Sequence, residues 1–337
     1  MPGLFELIYY LGYSVKKYYS LKNQKKLPHK VISIGNITTG GTGKTPAVIA
    51  VAEEAKRRGF NPVILTRGYK GKAEPPCFVE LLADSYQLTA KYGDEPVLMT
   101  EKLKDVLIVK CKDRYKGGMF ALKQLKAVSL KLSAKMLFIL DDGFQHWRLF
   151  RDKDVLLIDS ENPFTNKRLL PMGLLREPLK EIRRADIIVL TKTSNSQSEA
   201  SNLIEEIKKY NSMASIFFAE HKPSGFTKPS GETRPVEWAA GKNLFAFCGI
   251  GNPESFRKTV ISTGANLRCM KTYRDHYRYA QGDIENIVIE AHKNNADLIV
   301  TTEKDMVRLR GLNIPKNLIA LAIEFRAGKE LYDEVFS

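Results

Sequence analysis

Along this chain short unbroken apolar runs alternate with longer segments whose apolar positions recur at helical spacing. The runs at 31–35, 61–66, 106–109, 136–140, 155–159 and 186–191 read as strands, and 46–58, 95–103 and 119–132 as helices between them. A polar helix is expected over 193–212. The alternation then resumes with strands at 244–248, 267–273 and 298–301 and helices near 254–263 and 284–294. Strands that are apolar on both faces, each followed by a helix, predict an α/β fold: a parallel sheet covered on both faces, of the P-loop NTPase type, with a smaller α/β C-terminal domain. Residues 222–234 are rich in Pro, Gly, Ser and Thr and form the best linker candidate. The expected division is an N-terminal helix at 1–25, a core at 26–225, a linker at 226–240 and a second domain at 241–337.

The first helix has its own pattern. Leu4, Leu7, Ile8, Leu11 and Val15 fall on one face, Phe5, Tyr9, Tyr10, Tyr13, Tyr18 and Tyr19 widen it, and Lys16, Lys17, Lys22, Lys25 and Lys26 follow. It is shorter than the ~20 apolar residues that cross a bilayer, and it lacks the charged start and cleavage site of a signal peptide. Its residues suit the plane of a membrane surface or packing on the protein's own core.

The strand at 31–35 runs into Thr38-Thr39-Gly40-Gly41-Thr42-Gly43-Lys44-Thr45, and a helix opens behind it. Backbone N–H groups of a glycine-rich turn and the positive end of a helix solvate phosphate oxygens without a bulky side chain in the way. Lys44 is placed to reach the β- and γ-phosphates of a nucleotide, and the Thr45 hydroxyl to bind Mg²⁺. Thr38 stands where the G-x-x-x-x-G-K-[ST] frame has its first glycine. The strand at 136–140 ends in Asp141-Asp142, the Walker B form, in which a carboxylate holds Mg²⁺ directly or through water. Gly143-Phe144-Gln145-His146 continues from it.

Other candidates lie at segment ends. Asp94 opens a helix and reads as its cap or as a general base. Asp275-His276 reads as a local pair that poises a base. Arg67, Arg114 and Arg176 each read as a phosphate ligand or a surface ion-pair partner.

Composition narrows the classes. The chain of 337 residues has 53 Lys+Arg against 38 Asp+Glu, a net charge of +15. Such an excess fits nucleic acid, anionic lipid or a phosphorylated substrate. With no C-x-x-C knuckle and no aromatic RNP pattern, no nucleic-acid partner is read. The 4 cysteines (Cys77, Cys111, Cys248, Cys269) lie far apart with apolar neighbours, as buried thiols of a reducing compartment do.

In one order the chain carries Ser33-Ile-Gly-Asn-Ile-Thr-Thr-Gly-Gly-Thr-Gly-Lys-Thr-Pro46, Arg67-Gly-Tyr69, Gly93-Asp-Glu-Pro96, Asp141-Asp-Gly-Phe-Gln-His146, Leu174-Leu-Arg-Glu-Pro178, Cys248-Gly-Ile-Gly-Asn-Pro253, Asp275-His276 and Thr302-Glu-Lys-Asp305. From about residue 4 to 325 it resembles the tetraacyldisaccharide 4′-kinases, the lipid A kinases of Gram-negative bacteria. The resemblance implies a P-loop fold with a smaller C-terminal domain, ATP with Mg²⁺, and transfer of the γ-phosphate to the 4′-hydroxyl of an acylated disaccharide 1-phosphate glycolipid, giving lipid IVA. It implies Asp94 and His276 as a catalytic dyad, and Tyr69, Arg114, Gln145, His146 and Arg176 at the glycolipid. It also implies that the N-terminal helix touches the bilayer, on the cytoplasmic face of the inner membrane. The stretch around His276 departs from the family: Tyr273-Arg-Asp-His-Tyr-Arg-Tyr279 stands where many relatives have Phe-Pro-Asp-His-His-x-Tyr.

Two other classes share the loop. A membrane-associated P-loop ATPase switch carries a signature Lys immediately before the paired glycines, where this chain has Thr39. A GTPase needs Asn-Lys-x-Asp after a late strand, and the comparable place here reads Leu190-Thr-Lys-Thr-Ser194.

Overall fold

The computed structural model describes residues 3–69, 71–81, 88–128, 135–192 and 197–337, with the backbone alone for 128 and 197–200. In chain order the elements are α1 (Leu4–Lys22), β1 (Val31–Gly35), α2 (Lys44–Arg57), β2 (Asn61–Thr66), β3 (Cys77–Phe78), α3 (Leu88–Tyr92), α4 (Asp94–Lys102), β4 (Leu107–Lys110), α5 (Arg114–Val128), β5 (Met136–Asp141), β6 (Lys153–Asp159) and β7 (Ile187–Thr191). After these come α6 (Gln197–Lys208), β8 (Ser215–Thr227), β9 (Thr233–Arg234), β10 (Asn243–Cys248), α7 (Pro253–Ser262), β11 (Asn266–Thr272), α8 (Gln281–Lys293), β12 (Leu298–Thr302), α9 (Glu303–Arg308), β13 (Leu318–Ala327) and α10 (Lys329–Phe336). The expected helix ends at 129–132 and 193–196 lie outside the described residues.

Among the described residues the strands form one sheet in the order β11-β10-β12-β13-β8-β7-β6-β1-β5-β2-β4-β3, with β9 beside β8. From β7 to β4 every neighbour is parallel, as are β11, β10, β12 and β13. The two parallel blocks meet at β8, which pairs parallel with β7 through Ser215–Ala219 and antiparallel with β13 through Ala219–Thr227. Lys222–Thr227, part of the expected linker, is therefore strand, and the sheet continues across it.

Alternation along each strand explains the layers. Ile32 and Ile34 of β1 turn to the face covered by Val48 and Val51 of α2, Val97 of α4 and Leu331 of α10. Val31, with Phe138 and Leu140 of β5, turns to the opposite face beneath Ala121 and Leu122 of α5. The second block repeats this, with Leu244 and Ala246 facing Val260 of α7 and Phe245 and Phe247 facing Ile284 and Ile287 of α8. Burial on both faces is why these strands read as unbroken apolar runs.

β1 sits between β6 and β5, while the chain leaves β1 for β2 on the far side of β5. Such a switch point opens a crevice at the carboxyl ends of the strands. The loops after β1, β2 and β5 all reach it, and so does the loop after β10 from the second block.

Candidate active site

A cleft of about 1380 Å³ lies at this crevice, lined by the glycine-rich loop, by Asp141 and Asp142, and by Gly251 and His276 of the second block. The loop is shaped by its glycines. Gly43 precedes α2 with φ 77°, a region open mainly to glycine. A Cβ there would also fall 2.0 Å from Nε2 of His221 on β8. The buried Asn36 amide donates to Thr42 Oγ1 at 2.9 Å, and Lys44 Nζ donates to Asn36 Oδ1 at 3.2 Å. Thr39 N donates to Leu174 O at 2.7 Å. Lys192, at the end of β7, pairs with Asp159 at 2.5 Å and donates to Gly41 O at 3.4 Å. A loop braced this way from Asn36, Leu174 and Lys192 keeps its turn with Thr38 in the first frame position.

Asp141 is buried at the end of β5, where its carboxylate accepts from Thr66 Oγ1 at 2.8 Å. Burial, with the negative charges of Glu95 and Asp142, pushes its pKa up to about 6. Burial opposes ionisation of Asp142 too, but the cations of Lys44, at 3.6 Å, and Arg176, at 2.8 Å, hold it down to about 2. A buried carboxylate short of positive charge, beside a Thr hydroxyl and a phosphate-binding loop, is a donor set that fits Mg²⁺, which takes few protein ligands and keeps water and phosphate oxygens.

On the opposite flank of β1 and β5, Gln145 Nε2 donates to Asn36 O and to Glu177 Oε1, both at 2.8 Å, and Arg176 Nη1 donates to Gln145 Oε1 at 3.3 Å. Arg114 is 4% exposed and donates to the carbonyls of Cys111, Lys112 and Asp141. Burial lowers its pKa, and its Nε has no partner among the described residues. Burial and the Arg114 charge lower His146 to about 3, so its ring is neutral. Tyr69 is 52% exposed, with its ring 5.4 Å from that of His276.

Asp94 starts α4 and is 7% exposed. His276 Nδ1 meets Asp94 Oδ2 at 2.9 Å, bringing together residues from the two blocks. An ionised carboxylate only accepts, so Nδ1 carries the proton of that bond. Burial works against the charge of Asp94, but the His276 hydrogen bond and the Lys304 and Arg308 cations hold its pKa well below the usual carboxylate range. The local Asp275-His276 pair read from sequence is looser: Asp275 Oδ2 is 3.9 Å from His276 Nε2, and Asp275 instead accepts from the His276 backbone N–H at 2.9 Å. The close partner lies far away in sequence.

Arg308 and His221 stand outside every motif of the sequence: Arg308 donates its Nε to Asp94 Oδ2 at 2.8 Å, and His221 lies under Gly43. Asn36, Glu95 and Lys304 fall within motifs, but the motifs do not show that Lys304 Nζ donates to Glu95 Oε1 at 3.0 Å.

Helix α1 lies along the same flank. Tyr9 donates to Arg176 O at 2.9 Å, Tyr13 to Glu177 Oε2 at 3.2 Å, and Lys17 pairs with Glu181. Glu6 accepts from Leu169 N at 2.8 Å. These four polar side chains face the protein, while Leu4, Phe5, Ile8, Leu11 and Val15 are all more than half exposed. No helix among the described residues is long and apolar enough to cross a membrane.

A family model described as tetraacyldisaccharide-1-P 4′-kinase matches residues 3–336. The tetraacyldisaccharide 4′-kinase of Syntrophus aciditrophicus is 37% identical over 320 residues, 91% of this chain and 83% of that protein. The protein of the same name from Aquifex aeolicus is 35% identical over 306 residues, 91% of this chain and 86% of that one. A crystal structure of LpxK from Aquifex aeolicus in complex with ATP superposes with a TM-score of 0.72 at 32% identity, covering 98% of this chain and 96% of that chain.

Proposed function

The chain belongs to the tetraacyldisaccharide-1-P 4′-kinase family, and from that premise we infer how its residues divide the work. It is a lipid A biosynthesis kinase that phosphorylates the 4′-hydroxyl of tetraacyldisaccharide 1-phosphate with ATP, forming lipid IVA. The residue roles, the metal and the membrane contact are our proposal.

In this reading Thr38, Thr39, Gly40, Gly41, Thr42 and Gly43 wrap the ATP phosphates with backbone N–H groups, and Lys44 meets the transferred phosphoryl group. Thr45, Asp141 and Asp142 hold Mg²⁺, which when bound neutralises phosphate charge. Arg114, Arg176, Gln145, His146 and Tyr69 contact the sugar phosphate of the acceptor. As the acceptor oxygen bonds to the γ-phosphorus, the bond from that phosphorus to the β–γ bridging oxygen breaks, and its electron pair leaves on ADP. The hydroxyl proton passes to Asp94, with His276 orienting the carboxylate. In a loose phosphoryl transfer the proton moves late, so a weakly basic carboxylate suffices.

The exposed apolar side of α1 supports a peripheral or monotopic seat on a membrane, where an acylated acceptor resides. The cytoplasmic face of the inner membrane is the side that supplies ATP. A P-loop core at 26–225 and a smaller domain at 241–337, joined through 226–240, are supported by the change from parallel to antiparallel pairing at β8 and β13.

The observation that carries the reading is the 2.9 Å contact of Asp94 with His276, a lining residue of the cleft that also holds the glycine-rich loop. Incubation of the purified protein with γ-labelled ATP and tetraacyl disaccharide 1-phosphate tests it: label is expected at the 4′ position of the lipid. Label released only as inorganic phosphate would favour an ATPase switch instead.

A further inference from the structure

The Thr302-Glu-Lys-Asp305 run and the Arg308 that follows it have no role in the reading above. Thr302 caps α9, accepting from Asp305 N at 3.0 Å and donating its hydroxyl to Asp305 Oδ2 at 2.7 Å. Asp305 is fully buried. Its carboxylate also accepts from Gly249 N at 3.1 Å, Tyr279 Oη at 3.0 Å and Arg308 Nη1 at 2.8 Å. One edge of the Arg308 guanidinium is thereby anchored on Asp305 and on Gly249 O, at 2.7 Å. The other edge, Nε and Nη2, grips Asp94 Oδ2.

The contacts close into a ring. Asp94 accepts from His276 Nδ1, the His276 backbone N–H donates to Gly249 O at 3.1 Å, Gly249 O accepts from Arg308, and Arg308 returns to Asp94. His276 sits in this ring at φ 57°, a conformation that the surrounding bonds must hold. Oδ2 of Asp94 is saturated by three donors, whereas among the described residues Oδ1 accepts only the Glu95 N–H at 3.0 Å. The oxygen with lone pairs left for an incoming hydroxyl is Oδ1.

We propose that Arg308 is a positioning residue of the phosphotransfer, fixing which oxygen of Asp94 meets the acceptor hydroxyl and locking Asp94 to the loop that carries His276. This rests on reading Asp94 as the group that takes the hydroxyl proton. The planar fork of arginine spans Asp94, Asp305 and Gly249 O at once, which a lysine ammonium cannot do. The charged and titratable groups around Asp94 are Arg308 and Lys304 from α9, His276 from the loop after β11, and Glu95 next in the chain, with Asp275 and Asp305 just behind them. Loss of the Arg308 charge leaves the Lys304 ammonium and the His276 Nδ1 hydrogen bond beside Asp94.

The test compares Arg308→Met, Arg308→Lys and Asp94→Asn in steady-state kinetics with ATP and tetraacyl disaccharide 1-phosphate at about pH 7.5. Arg308→Met is expected to lower kcat roughly 100-fold while KM for ATP stays within about threefold. Arg308→Lys keeps the charge but not the fork, so kcat falls only about tenfold. A purely structural arginine would give equal losses in both variants, with KM for ATP rising as kcat falls, and that result overturns the proposal. Should Arg308→Met fail to fold, Arg308→Lys decides, and kcat within about twofold of wild type overturns it. An inactive Asp94→Asn beside a normal Arg308→Met sinks the Arg308 role alone. An active Asp94→Asn removes the premise, and the proposal falls with it.

Discussion

At Gly43 two constraints coincide: a positive φ and the His221 ring where a side chain would start. Alanine there must displace either the loop or the ring. Gly43→Ala is expected to weaken ATP binding by roughly tenfold or more in calorimetric titration, and unchanged affinity would show that the loop can shift. Asp94→Ala and His276→Ala act on the chemistry instead. Each is expected to lower lipid phosphorylation about tenfold or more with ATP binding retained, and near-normal turnover in both would remove the dyad. What sequence could tell about these residues follows from distance along the chain. The glycines, Lys44 and Thr45 are contiguous, so their shared task shows in the spacing. Arg308 and Asp94 are 214 positions apart, and an arginine on a short helix looks like any surface cation until the fold brings the two together.

Elements differ in legibility for a similar physical reason. Strands β1, β5 and β7 are buried throughout, so their apolar runs announce them. β8 mixes exposed, half-buried and a few buried positions without a regular period and contains His221, Lys222, Pro223 and Ser224, so part of it resembled a linker. It is a strand because β7 and β13 take its backbone groups, a partnership no local pattern shows. Helix α1 was legible as amphipathic, but not its orientation. The Tyr9 and Tyr13 hydroxyls and Glu6 bond to the protein and its aliphatic residues point away. Charging the outward side should therefore leave the fold and the nucleotide site untouched. Ile8→Glu with Leu11→Glu is expected to reduce co-sedimentation with anionic lipid vesicles at least about tenfold while ATP affinity holds. Equal partitioning of variant and wild type would mean that α1 is a packing element only.

At the scale of the whole molecule, the seam between the two parallel blocks runs directly beneath the phosphate loop. Just past the point where β8 changes partner, His221 pairs in register with Phe325 of β13, and its ring lies 5.7 Å from that phenyl ring. Its Nε2 is 3.4 Å from Gly43 O, and its buried Nδ1 has no partner among the described residues. The ring is thus wedged among β13, its own strand and the loop, with Lys192 and Asp159 as the nearest charges. Burial, with a smaller push from Lys192, lowers its pKa from 6.5 to about 4. The unfolded chain then binds this proton below pH 6.5 while the folded chain refuses it until about pH 4. Stability must therefore fall as pH drops through that window. The loss attributable to His221 is about 2 kcal/mol between pH 7.5 and 5. His146, lowered to about 3, adds in the same direction, so the wild-type slope alone does not isolate His221. A glutamine in its place cannot titrate. Urea denaturation of wild type and His221→Gln at both pH values separates the contributions, since the variant keeps His146. The variant is expected to lose about 2 kcal/mol less than wild type on acidification. Equal losses would mean that His221 takes up its proton as readily in the folded seam as in the unfolded chain, and that the seam beneath the phosphate loop does not exclude the charge.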